Sequence, residues 1–147
     1  MISLFEQWKF EKIKYDNFNF ENFKTEFVID LHLASLRHFD IRIRNNDILE
    51  SWATQKLEKL LDDSQHKIQL FRQPDHDLSW LTFKGSIPEG EYGAGEVKIW
   101  DKGKCNILSQ KDNVIVIQFF GKNISGVFNI IKIDKKNYLM SKNKSSR

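Results

Sequence analysis

The chain has 147 residues, 40% hydrophobic and 29% charged, a balance that suits one globular domain with a real core and leaves no room for two well-made ones. Its formal charge of +3 permits a nucleic-acid partner without requiring one. The single cysteine, Cys105, excludes an internal disulfide and a multi-cysteine zinc site, and no stretch approaches the roughly 20 apolar residues of a membrane-spanning helix.

The first residues, Met1-Ile2-Ser3-Leu4-Phe5-Glu6, lack the apolar run of a signal peptide, so a cytoplasmic protein with no membrane partner is expected. Residues 1–26 form an aromatic and charged lead-in, expected to pack on the domain that follows, with a short helix near residues 3 to 13. Strand-like alternation then begins over Phe27 to Leu33, His38 to Arg44 and Ile48 to Thr54, with turn chemistry at Asn45-Asn46-Asp47. Residues 55 to 66 carry leucines among charges and suit a short helix or an ordered loop. Strand signals resume at Lys67 to Arg72, Ser79 to Lys84, Glu96 to Trp100, Val114 to Phe120, Val127 to Ile133 and Tyr138 to Met140. So many short strands in one small domain predict a mainly β fold over residues 27–141: a closed or nearly closed β-barrel of about eight strands with short flanking helices, since an open sheet would expose long edges. Residues 142–147 are a basic tail expected to be disordered.

One segment carries unusual chemistry. In a strand, His38, Asp40 and Arg42 share one face while Phe39, Ile41 and Ile43 fill the other. His32 lies six residues upstream. A half-solvated strand face also alternates, but solvation does not favour histidine over lysine, threonine or glutamate, whereas two imidazoles and a carboxylate suit a divalent cation. Arg42 adds a guanidinium suited to phosphate. His76 sits in a stretch read as a loop, either as a surface histidine flanked by acids or as a group able to give a proton to a substrate or hydrogen-bond a phosphate. Residues 84 to 95 hold four of the seven glycines and one of the two prolines. That run lacks the spacing of a nucleotide-phosphate loop and reads as a shaped turn.

Taken together, Phe27 through Arg42, Ser51-Trp52-Ala53, Gly85 through Gly95, Trp100-Asp101-Lys102-Gly103 and Gly121 through Phe128 resemble the 3'-phosphoesterase module of the DNA ligase D family, in order and spacing. The resemblance implies a manganese-dependent β-barrel enzyme, with cobalt or zinc as alternative ions, acting on DNA or primer-template 3' ends. Such enzymes remove a 3'-terminal ribonucleoside and then the remaining 3'-phosphate, leaving a 3'-hydroxyl. It implies His32, His38 and Asp40 as metal ligands, Arg42 and His76 as catalytic phosphate contacts, and Lys56 as a basic rim residue. Trp80 stands where the family has a phosphate-contacting tyrosine, Pro74 where it has an acidic residue, and Gln55-Lys56-Leu57 where it has Pro-Lys-Gly. Lys67 and Arg72 are the stand-ins for an arginine expected in the strand before His76. The family's N-terminal contacts have no match in residues 1–25, so the diesterase step is expected to be the weaker. As a stand-alone version, the chain is expected to work with separate ligase and polymerase proteins. The alternatives are a nucleic-acid-binding barrel with weakened catalysis, and an Fe(II)-dependent oxygenase built on His38, Asp40 and His76.

Overall fold

A computed structural model describes residues 23–91 and 94–144. The helix expected near residues 3 to 13, most of the lead-in and the last three residues of the tail lie outside the described residues. The strands are β1 (Phe23–Leu33), β2 (His38–Asn45), β3 (Ile48–Thr54), β4 (Lys67–Asp77), β5 (Gly85–Ile87), β6 (Gly95–Lys111), β7 (Val114–Phe120), β8 (Ser125–Lys132) and β9 (Asn137–Lys142). Helix α1 (Leu57–Leu61) links β3 to β4, and a 3₁₀ turn spans Leu78–Leu81.

All pairings are antiparallel, and the order β1-β2-β3-β4-β9-β8-β7-β6 closes on itself because β6 also pairs with β1. Closure removes the exposed edges that an eight-stranded open sheet would present. The short β5 pairs with the start of β6 on the edge opposite β1. Phe27, Ile29, Phe39, Ile41, Trp52 and Phe119 are among the buried side chains filling the interior, and α1 adds Leu57 and Leu60 to the same core. Phe119 meets Phe27 and Phe128 edge-on, at 4.9 and 5.7 Å between ring centres, a favoured geometry for aromatic pairs.

Four expectations need correction. The strand expected to start at Phe27 starts at Phe23, and the one expected over Glu96 to Trp100 runs on to Lys111. Ser79 to Lys84 does not form a strand. The Asp77 carboxylate accepts a hydrogen bond from the Ser79 amide at 2.9 Å, and this local cap starts the 3₁₀ turn despite the β-favouring Trp80, Thr82 and Phe83. Finally, His76 lies in β4 rather than in a loop.

Bulges let β6 serve several neighbours. Ile29 pairs with Asp101 and Asp30 with Ile99, which leaves Trp100 as the extra residue. Trp100 packs edge-on against Phe39 at 5.3 Å. Asp101 is 6% exposed. It accepts the backbone amides of Lys102 at 2.8 Å, Lys122 at 3.0 Å, and Asn123 and Ile124 at 2.8 Å each. That carboxylate replaces water for the tight β7–β8 turn. Gly121 is required beside it, because a Cβ there would collide with the Asp101 carboxylate. The two motifs Trp100 to Gly103 and Gly121 to Phe128 are thus one structural unit.

Replacing Asp101 with alanine leaves the buried Ile124 amide and three partly buried amides without their acceptor at once, and loss of about 3 kcal/mol is expected from charge-assisted hydrogen bonds of this kind. Asp101→Asn keeps one acceptor oxygen and should cost less. Urea denaturation of both variants checks the order.

Candidate active site

The register of β1 and β2 sets the site. Asp30 pairs with Asp40, His32 with His38 and Val28 with Arg42, and directly opposed residues of antiparallel strands share a face. His32, His38, Asp30, Asp40 and Arg42 therefore lie on the outer wall of the barrel, while Phe39, Ile41 and Ile43 are wholly buried in its interior. The alternation expected from sequence is the one the wall adopts.

His32 Nδ1 lies 3.3 Å from Asp40 Oδ2, and His38 Nε2 lies 3.3 Å from Asp40 Oδ1. One ligand atom from each of His32, His38 and Asp40 falls within 4.8 Å of the others. Bonds of about 2.0–2.2 Å would bring one divalent ion into reach of all three with small side-chain adjustment. His38 Nδ1 donates to the Leu36 carbonyl at 2.8 Å. A carbonyl only accepts, so Nδ1 carries a proton, and Nε2, which faces Asp40, is the nitrogen that donates to the carboxylate when protonated and could bind a metal when that proton is lost. Burial would raise the Asp40 carboxyl, but its hydrogen bonds with His32 and His38 and the Arg42 charge outweigh burial and hold it well below the usual carboxylate range. The hydrogen bond to Asp40 raises the His38 imidazole. Donor chemistry and placement fit a divalent metal. The oxygenase-type triad of His38, Asp40 and His76 is not the cluster formed; among the described residues His32 takes the third place.

Arg42 is 3% exposed. It donates through Nη1 to Asp30 and through Nη2 to Asp40 at 3.5 Å. Burial pushes the Asp30 carboxyl up to about 7 against the pull of the Arg42 charge. Asp30 escaped sequence reading although it lies two residues before His32 and hence on the same strand face. Trp80, delivered by the 3₁₀ turn, places its ring 4.8 Å from Arg42 Cζ, in the range of a cation–π contact. It meets His76 edge-on at 5.1 Å and Phe83 at a tilt at 4.6 Å between ring centres.

A bulge brings His76 to this wall. Ser51 pairs with Gln73, but Leu49, two residues earlier, pairs with His76, so β4 holds one extra residue across Pro74-Asp75. Without it the alternation would turn residue 76 to the interior. Proline has no amide to lose at such a site. His76 Nδ1 donates to the Pro74 carbonyl at 2.8 Å, which leaves Nε2 for the pocket. Burial, then the Arg42 charge, lower the His76 imidazole below its ordinary value.

The pocket encloses about 660 Å³. His32, His38, Asp40, Arg42, His76 and Trp80 all line it, and the Ser86-Ile87-Pro88 stretch and Glu91 close it from the glycine-rich segment. Gly95 is required there, because its φ is +132° and a Cβ would strike the Leu33 carbonyl. Three residues expected at the site are placed elsewhere. Lys56 is exposed and its neighbour Gln55 lines the pocket instead. Lys67 is exposed at the start of β4, opposite Ser141. Arg72 pairs with the buried Trp52, on the opposite side of β4 from Phe71 and Gln73. It meets Glu50 at 3.0 Å and Asp75 at 2.6 Å, and donates to the carbonyls of Ser51 and Gln73. Arg72 thus braces the bulge from behind. Phe71, Gln73 and Phe83, which sequence reading passed over, line the pocket. Cys105 is buried in the core and burial pushes its thiol up to about 12, in keeping with no catalytic part.

The model of the DNA Ligase D 3'-phosphoesterase domain matches residues 30–132. The chain is similar to the multifunctional non-homologous end joining DNA repair protein LigD of Mycobacterium tuberculosis (strain CDC 1551 / Oshkosh), 34% identical over 125 residues, covering 82% of this chain and 16% of that protein. LigD of Mycolicibacterium smegmatis is 32% identical over 133 residues, covering 83% of this chain and 17% of the relative. LigD of Pseudomonas aeruginosa is 32% identical over 111 residues, covering 72% and 13%. The chain thus spans about a sixth of the length of the mycobacterial relatives it matches.

In the metal-free protein, NMR titration should show His76 protonating below the ordinary histidine value of about 6.5. Its folded-state value is lowered, so the unfolded chain binds the proton more readily, and this residue's contribution to stability should fall as pH drops through that ordinary value. A His76 titration at or above it contradicts the burial seen here.

Proposed function

Because the chain belongs to the DNA ligase D 3'-phosphoesterase domain family, we propose that it is a metal-dependent phosphoesterase that processes DNA 3' ends in repair. The observation that carries this reading is the convergence of His32, His38 and Asp40 with Arg42 and His76 in one pocket. In this reading the substrates are strands ending in a 3'-phosphate or a 3'-terminal ribonucleotide, and the product is the 3'-hydroxyl that ligases and polymerases act on. His32, His38 and Asp40 hold the metal, for which manganese is proposed and cobalt or zinc are the alternatives. When bound, a divalent ion supplies Lewis-acid charge at a phosphate oxygen and leaves coordination positions open to substrate.

The protein's own groups do the rest. Arg42, fixed by Asp30 and Asp40 and covered by Trp80, holds a non-bridging oxygen and opposes the negative charge that builds during transfer. It needs no reorganisation to do so, since its partners already set its plane. His76 faces the phosphate through Nε2. Its neutral ring takes a proton as the anionic phosphate binds and gives it to the leaving 3'-oxygen as the phosphorus–oxygen bond breaks and water's oxygen bonds to phosphorus. Trp80 closes this side against solvent and keeps the aromatic surface of the tyrosine it replaces. Lys56 and Lys67 remain candidates for contacts with the strand beyond the pocket, whereas Arg72 supports His76 from behind.

Purified protein supplied with manganese should convert a 3'-phosphate end to a 3'-hydroxyl, lose this activity to a chelator and regain it on manganese addition. His32→Ala and Asp40→Ala should each lower it by about 10²-fold or more, and His76→Ala by about 10²- to 10⁴-fold, the span for loss of a proton-transfer group. Full activity in Asp40→Ala would sink the metal assignment, and binding of DNA ends without conversion would favour a barrel that has lost turnover.

A further inference from the structure

We propose that Phe71 is a stacking platform for the nucleobase of the nucleotide that carries the 3'-phosphate. The proposal rests on the phosphoesterase reading above and adds to it a binding subsite. Phe71 lines the pocket yet is 46% exposed, so much of its ring is open to a ligand. The other pocket aromatics are engaged: Trp80 covers Arg42 and meets His76 and Phe83. Among the described residues no ring or cation stacks on Phe71.

Register places this ring relative to the reacting centre. Asp40 pairs with Ala53, and Ala53 with Phe71, so the three share one face on successive strands. Strands lie about 4.8 Å apart, which sets Phe71 two strands, or about 10 Å, from the carboxylate. Between them Ala53 contributes only a methyl group, which leaves a trough across β3. A phosphate held by Arg42 and His76 fixes one end of its nucleotide, and what extends along the trough is the group covalently attached to that phosphate, a sugar and then a flat base. Phe71 offers an apolar face to that base and no hydrogen-bonding atom, so the stack should accept any of the four bases.

The test is steady-state kinetics on single-stranded oligonucleotides ending in a 3'-phosphate, with and without a base on the terminal nucleotide. Phe71→Ala and Phe71→Leu should raise KM on base-bearing ends by about 5- to 100-fold, the range covered by one base–aromatic stack. Phe71→Trp should retain the wild-type KM. On an abasic end KM should already be high in the wild type and should not rise further in Phe71→Leu. Equal rises on abasic and base-bearing ends, or a wild-type KM in Phe71→Leu, overturn the proposal. Binding of a 2-aminopurine base at the terminal position separates this subsite from turnover. Quenching by the wild type that Phe71→Leu abolishes supports the stack even if no phosphate is released, in which case the phosphoesterase reading alone falls. Absence of quenching in a wild type that hydrolyses the end overturns the stack alone.

Discussion

Asp30, Arg42 and Asp40 are three charged residues buried in one barrel wall, at 0%, 3% and 5% exposure, and the candidate site depends on how their charges are satisfied. An isolated buried charge is very costly, so each must find an opposite partner. Arg42 lies between the two carboxylates, and the histidines flank Asp40 on its other side. One consequence is that Asp40 stays ionised, the state in which a carboxylate could hold a metal. Another is that the Arg42 guanidinium is locked in position before any substrate arrives. Such preorganisation is what electrostatic catalysis requires, and the barrel supplies it through hydrogen-bonded strands rather than mobile loops.

Bulges translate this wall into a complete pocket. A regular strand would put His76 on the interior face, where it would be a buried imidazole with no access to a phosphate. One extra residue in β4 reverses that, and Arg72 holds the displaced segment through Asp75 and through the carbonyls of Ser51 and Gln73. In β6 a second bulge sets Trp100 aside and leaves Asp101 to receive the amides of the Lys122-to-Ile124 turn. The same device therefore serves chemistry in one strand and architecture in another. It also divides the family-like motifs by role: residues 30 to 42 and 73 to 80 build the site, while residues 100 to 103 and 121 to 126 hold the barrel together.

The row of His38, Asp40 and Arg42 in the candidate metal cluster was legible in sequence because strand alternation is a local property: side chains two apart share a face whatever the remainder of the chain does. For the same reason the paired runs on β1 and β2, the short turns and the barrel itself could be anticipated from period and length. Asp30 was equally accessible by that argument and was passed over because its partner, Arg42, lies on the neighbouring strand. The basic residues fared differently. Lys56, Lys67 and Arg72 are plausible phosphate contacts by charge, but charge says nothing about placement: Lys56 precedes α1, Lys67 stands at the start of β4, four residues before Phe71, and Arg72 faces the other side of that strand.

Sequence by itself determined the β class and the row of His38, Asp40 and Arg42 on one strand face, since these follow from a period of two within a single strand, while His32 of the candidate metal cluster joins them through the pairing of β1 with β2. Tertiary structure decided barrel closure through the β1–β6 pairing, the turning of His76 into the pocket, the stationing of Trp80 over Arg42 and the diversion of Arg72 to a supporting position. Each of these depends on register between strands, and a single extra residue reverses a strand's facing without altering its composition.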